Sequence, residues 1–195
     1  MSFQTMSLFF ALLAIAANAA TIGIVVIGLA GKTSAFAGVR DQVFSAFKGL
    51  ELWLAFVVAA TATLGSLYLS EIVHLIPCTL CWYQRIAMYP LAVIFLIAAV
   101  RRDHGIRIYG ATIAAIGAGI AVYHRLIQMY PQLEGGTSCQ PNVPCTVAYI
   151  ERFGFISIPY MALSAFLFIL AILWLDRFNN SPDRASLPDT ELEHS

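Results

Sequence analysis

Long apolar runs separated by short polar stretches set out this chain. Residues 5–31 form the first run; Asn18 and a few Ser, Thr and Gly interrupt it, and no charge falls within it. About 20 apolar residues cross a bilayer core as a helix, so this run is predicted to span. Ala17-Asn18-Ala19 loosely resembles a signal-peptide cleavage site, but Met1 to Ser7 holds no Lys or Arg, so the basic start of such a peptide is missing. A retained helix is expected. Further spans are predicted over 52–76, 83–100, 106–130 and 157–175. Between the first two lies a polar connection, residues 32–51, with apolar Val39, Val43, Phe44 and Phe47 spaced for a small amphipathic helix on the membrane. Gly110, Gly117 and Gly119 in the fourth span allow a neighbouring helix to approach closely. Residues 131–156 read as a polar loop, and the chain after Asp176 as a disordered tail rich in Ser, Pro and Asp.

Composition narrows the class. Hydrophobic residues make up 59% and charged residues 11%, against roughly 45–50% and about 25% in soluble domains. Eleven basic and eleven acidic residues balance, so nothing points to nucleic acid. Placement of the basic residues gives an orientation. Lys32, Arg40, Lys48, Arg101, Arg102, Arg107, Arg177 and Arg184 fall on one side of the predicted spans, and Arg85, Arg125 and Arg152 on the other. The richer side is expected to be cytoplasmic, which puts the cysteines and the N-terminus outside.

The chemistry concentrates in Pro77-Cys78-Thr79-Leu80-Cys81-Trp82-Tyr83-Gln84-Arg85-Ile86-Ala87-Met88-Tyr89-Pro90. A Cys-x-x-Cys pair at a helix start can close a disulfide, and the helix dipole favours its thiolate. Arg85, four residues after Cys81, shares its helix face and stays charged, a fixed stabiliser of nearby negative charge. A second pair, Cys139 and Cys145, lies in the last loop after the supple Gly135-Gly136. If these two pair with each other, a transferable disulfide fits better than a structural staple, which usually closes a longer loop. A four-thiolate zinc site is the alternative, but five residues between Cys139 and Cys145 exceed the usual ligand gap. Haem attachment would want His where Trp82 stands. His124 and Arg125 lie near the same end of the fourth span; snorkelling to headgroups accounts for Arg125, whereas His124 is open to a functional or a structural role. Trp53, Trp82, Tyr83, Tyr89, Tyr130, Tyr160 and Trp174 read as interface anchors.

The first cysteine segment, together with Cys139-Gln140-Pro141-Asn142-Val143-Pro144-Cys145, Tyr149-Ile150-Glu151, Gly154-Phe155-Ile156-Ser157-Ile158-Pro159, Tyr123-His124 and Gln128-Met129-Tyr130-Pro131, resembles the disulfide bond formation protein B (DsbB) family, most closely its BdbC-type branch from Gram-positive bacteria. The resemblance covers roughly residues 50–178. It implies an all-α membrane protein built on a four-helix transmembrane bundle, here with one extra N-terminal transmembrane helix. The implied organisation is an added helix and cytoplasmic connection over 1–50, a redox core over 51–178 and a tail over 179–195. The implied activity is a thiol:quinone oxidoreductase of the plasma or inner membrane, which reoxidises a secreted or periplasmic thioredoxin-fold thiol oxidase and passes electrons to ubiquinone or menaquinone. By the same resemblance Cys139 is attacked by the partner, Cys145 relays to Cys78, and Cys81 faces the quinone with Arg85 beside it and His124 nearby. Vitamin K epoxide reductase relatives share a similar bundle, but there the loop cysteines precede the Cys-x-x-Cys. A non-catalytic scaffold with fixed disulfides or zinc is the reading from another class. The departure from the family is the first apolar run.

The charge asymmetry makes a direct prediction. A reporter fused after Ser195 is expected in the cytoplasm and one placed before Met1 outside; a cytoplasmic signal from the N-terminal fusion would break the five-span topology.

Overall fold

The computed structural model describes residues 3–31, 37–134, 139 and 143–179. The protein is an all-α membrane protein, and among the described residues five helices are long and apolar enough to cross a bilayer. They are α1 (Phe3–Ala30), α3 (Glu51–Leu67, prolonged by a π-helical segment Tyr68–Ile72), α4 (Thr79–Arg101), α5 (Arg107–Met129) and α6 (Ile158–Asn179), with a short α2 (Ala37–Ala46) after α1. Helices α3 to α6 close into a bundle around Leu91, Phe95, Phe166, Ile169 and Ile172, all buried. Helix α1 packs along α6. Large apolar residues such as Leu64, Val100 and Ile108 point outward, as suits a surface solvated by lipid.

Lipid tails are as apolar as the core, so close packing rather than water exclusion holds such helices together. At Gly117 a Cβ would run into the Phe166 ring of α6, and at Gly110 it would stand 2.7 Å from Phe95 of α4. These two glycines carry the close approach expected of the fourth span. Gly119 does not: a Cβ there meets nothing within 4 Å, because it lies on another face of α5.

Several boundaries move. The second span stops at Ile72 rather than 76, since Pro77 disfavours helix before it and His74 sits at φ 58°. The third starts at Thr79, four residues early, because Cys78 caps it. The fifth runs on to Asn179 rather than stopping at 175: Asp176, just past that expected end, is fully buried and meets His104 Nδ1 at 2.5 Å and Arg107 Nη1 at 3.5 Å. Beside it Asn179 Nδ2 donates to Glu51 Oε1 (2.7 Å) and to the Phe44 carbonyl (2.9 Å). The loop over 131–156 contains a hairpin, β1 (Glu151–Arg152) against β2 (Ile156–Ser157). The amphipathic helix forms as α2, but it buries only Phe44, edge-on to Trp174 and Phe178 of α6. Trp174 is therefore a packing partner as well as a membrane-facing ring, and Tyr89 and Tyr160 both make interior hydrogen bonds. Lys32, Gly135-Gly136, Gln140-Pro141-Asn142, Arg184 and the predicted tail lie outside the described residues.

The contrast between two glycines tests this packing. Gly117→Leu is expected to cost about 1–3 kcal/mol through overpacking against Phe166, whereas Gly119→Leu should be tolerated. Thermal unfolding of the two variants in detergent checks it; equal stability would mean that α5 and α6 are not this close.

Candidate active site

The site begins at the start of α4. Pro77 ends the irregular stretch, and Cys78 takes the extended conformation of an N-cap (φ −69°, ψ 169°). Its Sγ accepts the Cys81 backbone N–H at 3.4 Å, where Ser or Asp more often stands. The two sulfurs lie 2.8 Å apart as free thiols. The Cys81 thiol beside it, helped by the His124 ring and the Cys81 N–H, pulls the Cys78 pKa from 9.0 down to about 4 against the opposing effect of burial.

His124 joins the two cysteine pairs. Its ring is buried between α4 and α5, with Nε2 3.7 Å from Cys78 Sγ and 3.2 Å from the Cys145 carbonyl. Gln84 Nε2 lies 3.2 Å from Nδ1. With the Gln84 amide donating to Nδ1, the proton sits on Nε2, where it is shared by the carbonyl and the sulfur. Cys139 and Cys145 form a disulfide, with Cys145 fully buried and Cys139 partly exposed. Cys78, Leu80, Ile127 and Cys145 form one apolar cluster, against which Cys81 and Cys139 pack. The disulfide removes the four-thiolate zinc cage. Cys78, Cys81 and His124 do bring three ligand atoms within 4.8 Å of one another, enough to offer a thiophilic ion three donors.

Cys81 faces the other way. With Gln84, Arg85, Met88 and Tyr89 it lines a cavity of about 480 Å³ between α1, α3, α4 and α6. Arg85 Nη2 donates to the Ser66 carbonyl at 3.1 Å, near the C-terminal end of α3, and its guanidinium lies 5.3 Å from the Trp82 ring centroid. Tyr89 donates to Ser66 Oγ at 3.3 Å. The polar side chains gather beside Cys81, while Val57, Ala62, Ala165 and Phe168 make the rest of the wall apolar.

The structure thus brings Cys78, Cys81, Cys139, Cys145 and His124 into one cluster and sets Arg85 with Cys81 on the cavity. His124 stands on the Cys78 side, facing the loop disulfide, with a ring nitrogen also within 4.8 Å of the Cys81 sulfur. Arg125, expected to snorkel, donates to Ser157 Oγ (3.4 Å) and Gln128 Oε1 (3.5 Å). Two participants were missed from the sequence. Gln84 is a neutral polar residue inside a span, three past Cys81, which alone could have flagged it. Ser66 takes part partly through its backbone carbonyl, which no side-chain pattern reveals.

The model for disulfide bond formation protein DsbB matches residues 49–176. The chain belongs to the DsbB family. Disulfide bond formation protein C of Bacillus subtilis (strain 168) is 48% identical over 124 residues, covering 64% of this chain and 90% of that protein. A probable disulfide formation protein of Oceanobacillus iheyensis is 45% identical over 122 residues, 62% of this chain and 84% of that protein. One from Coxiella burnetii is 38% identical over 142 residues, 70% of this chain and 97% of that protein. No solved structure matches. As a member of this family the chain has a membrane disulfide-forming, oxidoreductase role. The family match holds α3 to α5 and most of α6, and leaves α1 and α2 outside.

The ring contact sets up a pH test. In a reduced protein with Cys139 and Cys145 replaced by Ser, thiolate absorbance from Cys78 should survive acidification to about pH 4 and vanish below it. His124→Ala should move that midpoint upward. A midpoint unchanged by the substitution would separate His124 from the dithiol.

Proposed function

We propose that this chain is a thiol:quinone oxidoreductase of the plasma or inner membrane, with both cysteine pairs on the extracytoplasmic face. The observation that carries the reading is the division of the dithiol: Cys81 opens onto the cavity beside Arg85, while Cys78 turns inward to His124 and Cys145. A quinone is a flat ring with two carbonyls and an apolar chain. The cavity offers Arg85 and Gln84 as donors at the Cys81 end and aliphatic walls beyond, so its residues fit that shape. Bound there, the quinone supplies a two-electron, two-proton acceptor.

The thiol steps balance without another reactant. A thioredoxin-fold partner dithiol attacks the more exposed Cys139, releasing the Cys145 thiolate, and the partner's second thiol resolves the mixed disulfide. The Cys145 thiolate then attacks the Cys78–Cys81 bridge at Cys78, and Cys139 closes on Cys145 again. That leaves the arrangement seen here, an intact loop disulfide and a Cys78/Cys81 dithiol. The dithiol gives up two electrons and two protons and returns to a disulfide. Net, a donor dithiol and a quinone become a donor disulfide and a quinol. Arg85 holds a positive charge at the cavity end where negative charge develops. His124 offers its Nε2–H to the Cys78 sulfur and keeps the loop disulfide beside it.

Quinone reduction by the purified protein, driven by a reduced thioredoxin-fold donor, tests this. Arg85→Ala is expected to raise the quinone concentration needed for half-maximal turnover by about tenfold or more. A donor that lacks its second cysteine should strand a mixed disulfide on Cys139. Cys145→Ser, with no loop disulfide to be attacked, should oxidise no donor, and Cys81→Ser should allow donor attack but no quinone reduction. A donor trapped on Cys78 instead would reverse the relay order. Wild-type protein that oxidises the donor without consuming quinone would reject the reading.

A further inference from the structure

Helix α1 lies outside the family match, yet it forms one side of the cavity. Ser7, Phe10, Leu13, Ala14 and Ala17 of α1 face it across from Cys81 and Arg85. The helix is fixed in rotation by polar contacts at two levels. Arg152, in the hairpin before α6, donates to Ser7 Oγ (2.7 Å) and to Gln4 Oε1 (3.2 Å). Deeper in the span Asn18 Nδ2 donates to the Tyr160 hydroxyl at 2.9 Å. In hydrocarbon such pairs have no water to compete for them, so they set which face of α1 turns inward. That face is small: Ser7, Ala11 and Ala14 are 1%, 0% and 5% exposed, while Phe9 and Leu12 on other faces are half exposed. One bulky side chain breaks the pattern. The Phe10 ring lies so near Gly65 of α3 that a Cβ there would stand 2.7 Å from it, and the next residue, Ser66, carries the carbonyl that holds Arg85.

We propose that α1 is a wall of the acceptor site, in which Phe10 sets the room for the quinone ring and Ala14 and Ala17 keep open the space for the ring's edge and the first part of its chain. The inference rests on the quinone reading of the cavity. The four-helix core supplies the thiols and the cation; the added helix supplies the fit. Because its anchors reach Arg152 and Tyr160 rather than the cysteines, α1 acts on acceptor binding and leaves exchange with the protein donor alone.

The test separates binding from chemistry. Quenching of tryptophan fluorescence by a short-chain benzoquinone and by a short-chain naphthoquinone gives the affinity for each ring without turnover, Trp82 lying beside Arg85. Ala14→Phe, which fills the chamber, is expected to weaken both by about tenfold or more. Phe10→Ala, which enlarges it, is expected to shift the preference toward the larger naphthoquinone. Ala19→Phe, on an exposed face of the same helix away from the cavity, should bind as wild type. All three should still accept one equivalent of donor thiols when no quinone is present, which also shows that they are folded. If Ala14→Phe and Phe10→Ala both keep wild-type affinity and ring preference while wild type binds quinone, α1 is no part of the site and only this proposal falls. If wild type itself shows no saturable quenching by either ring, the quinone reading falls and this proposal with it.

Discussion

A buried polar group in hydrocarbon has no water to turn to, and its partner must come from the chain itself. This constraint explains where the polar contacts of the bundle lie. At one end Asp176 meets His104 and Arg107, and Asn179 ties Glu51 to the carbonyl of Phe44, so that α2, α3, the start of α5 and the end of α6 are joined. At the other end Arg85 takes the last-turn carbonyl of α3, Gln84 holds His124, and His124 reaches the carbonyl of Cys145. Between the ends the packing is mostly steric, set by Phe95 and Phe166 against glycines. Breaking a buried pair leaves an uncompensated group, which costs more than the pair contributes when intact.

The same constraint gives two neighbouring cysteines different surroundings. Cys78 is the N-cap, so its sulfur faces backbone N–H and the His124 ring, and its proton is held weakly. Cys81 is one turn in and meets the cavity instead. A single helical turn therefore separates the sulfur that faces the loop disulfide from the sulfur that faces the cavity. Cys145 is buried and held by the ring bonded to its carbonyl, and Cys139 is the more exposed sulfur of the loop pair.

The position of α1 follows from its small, inward face and from two hydrogen-bonded anchors in the last helix and the hairpin before it. A span with no charge could have drifted free in the lipid; Asn18 and Ser7 give it a place.

Much of this was legible in the order of residues, because the spans depend on local composition and the dithiol on local spacing. Apolar runs longer than a bilayer core point to spans, and a Cys-x-x-Cys after Pro77 suits a helix start, so the helices and the relation of Cys81 to Arg85 follow from neighbours in sequence. Where a helix ended was less secure: the fifth span was expected to stop at 175, but Asp176 beyond it is a buried partner of His104, 72 residues away. The contacts of His124 with Cys78 and with Gln84 were decided by how α4 and α5 pack. The enclosure of the cavity by α1 depends on Phe10 finding Gly65 and Asn18 finding Tyr160, contacts 55 and 142 positions apart that no local pattern encodes. Sequence determined which segments are long and apolar enough to span and where the cysteine pairs lie in the chain; only the tertiary packing decided which face of each helix those sulfurs look out upon, because that depends on contacts between residues far apart in sequence.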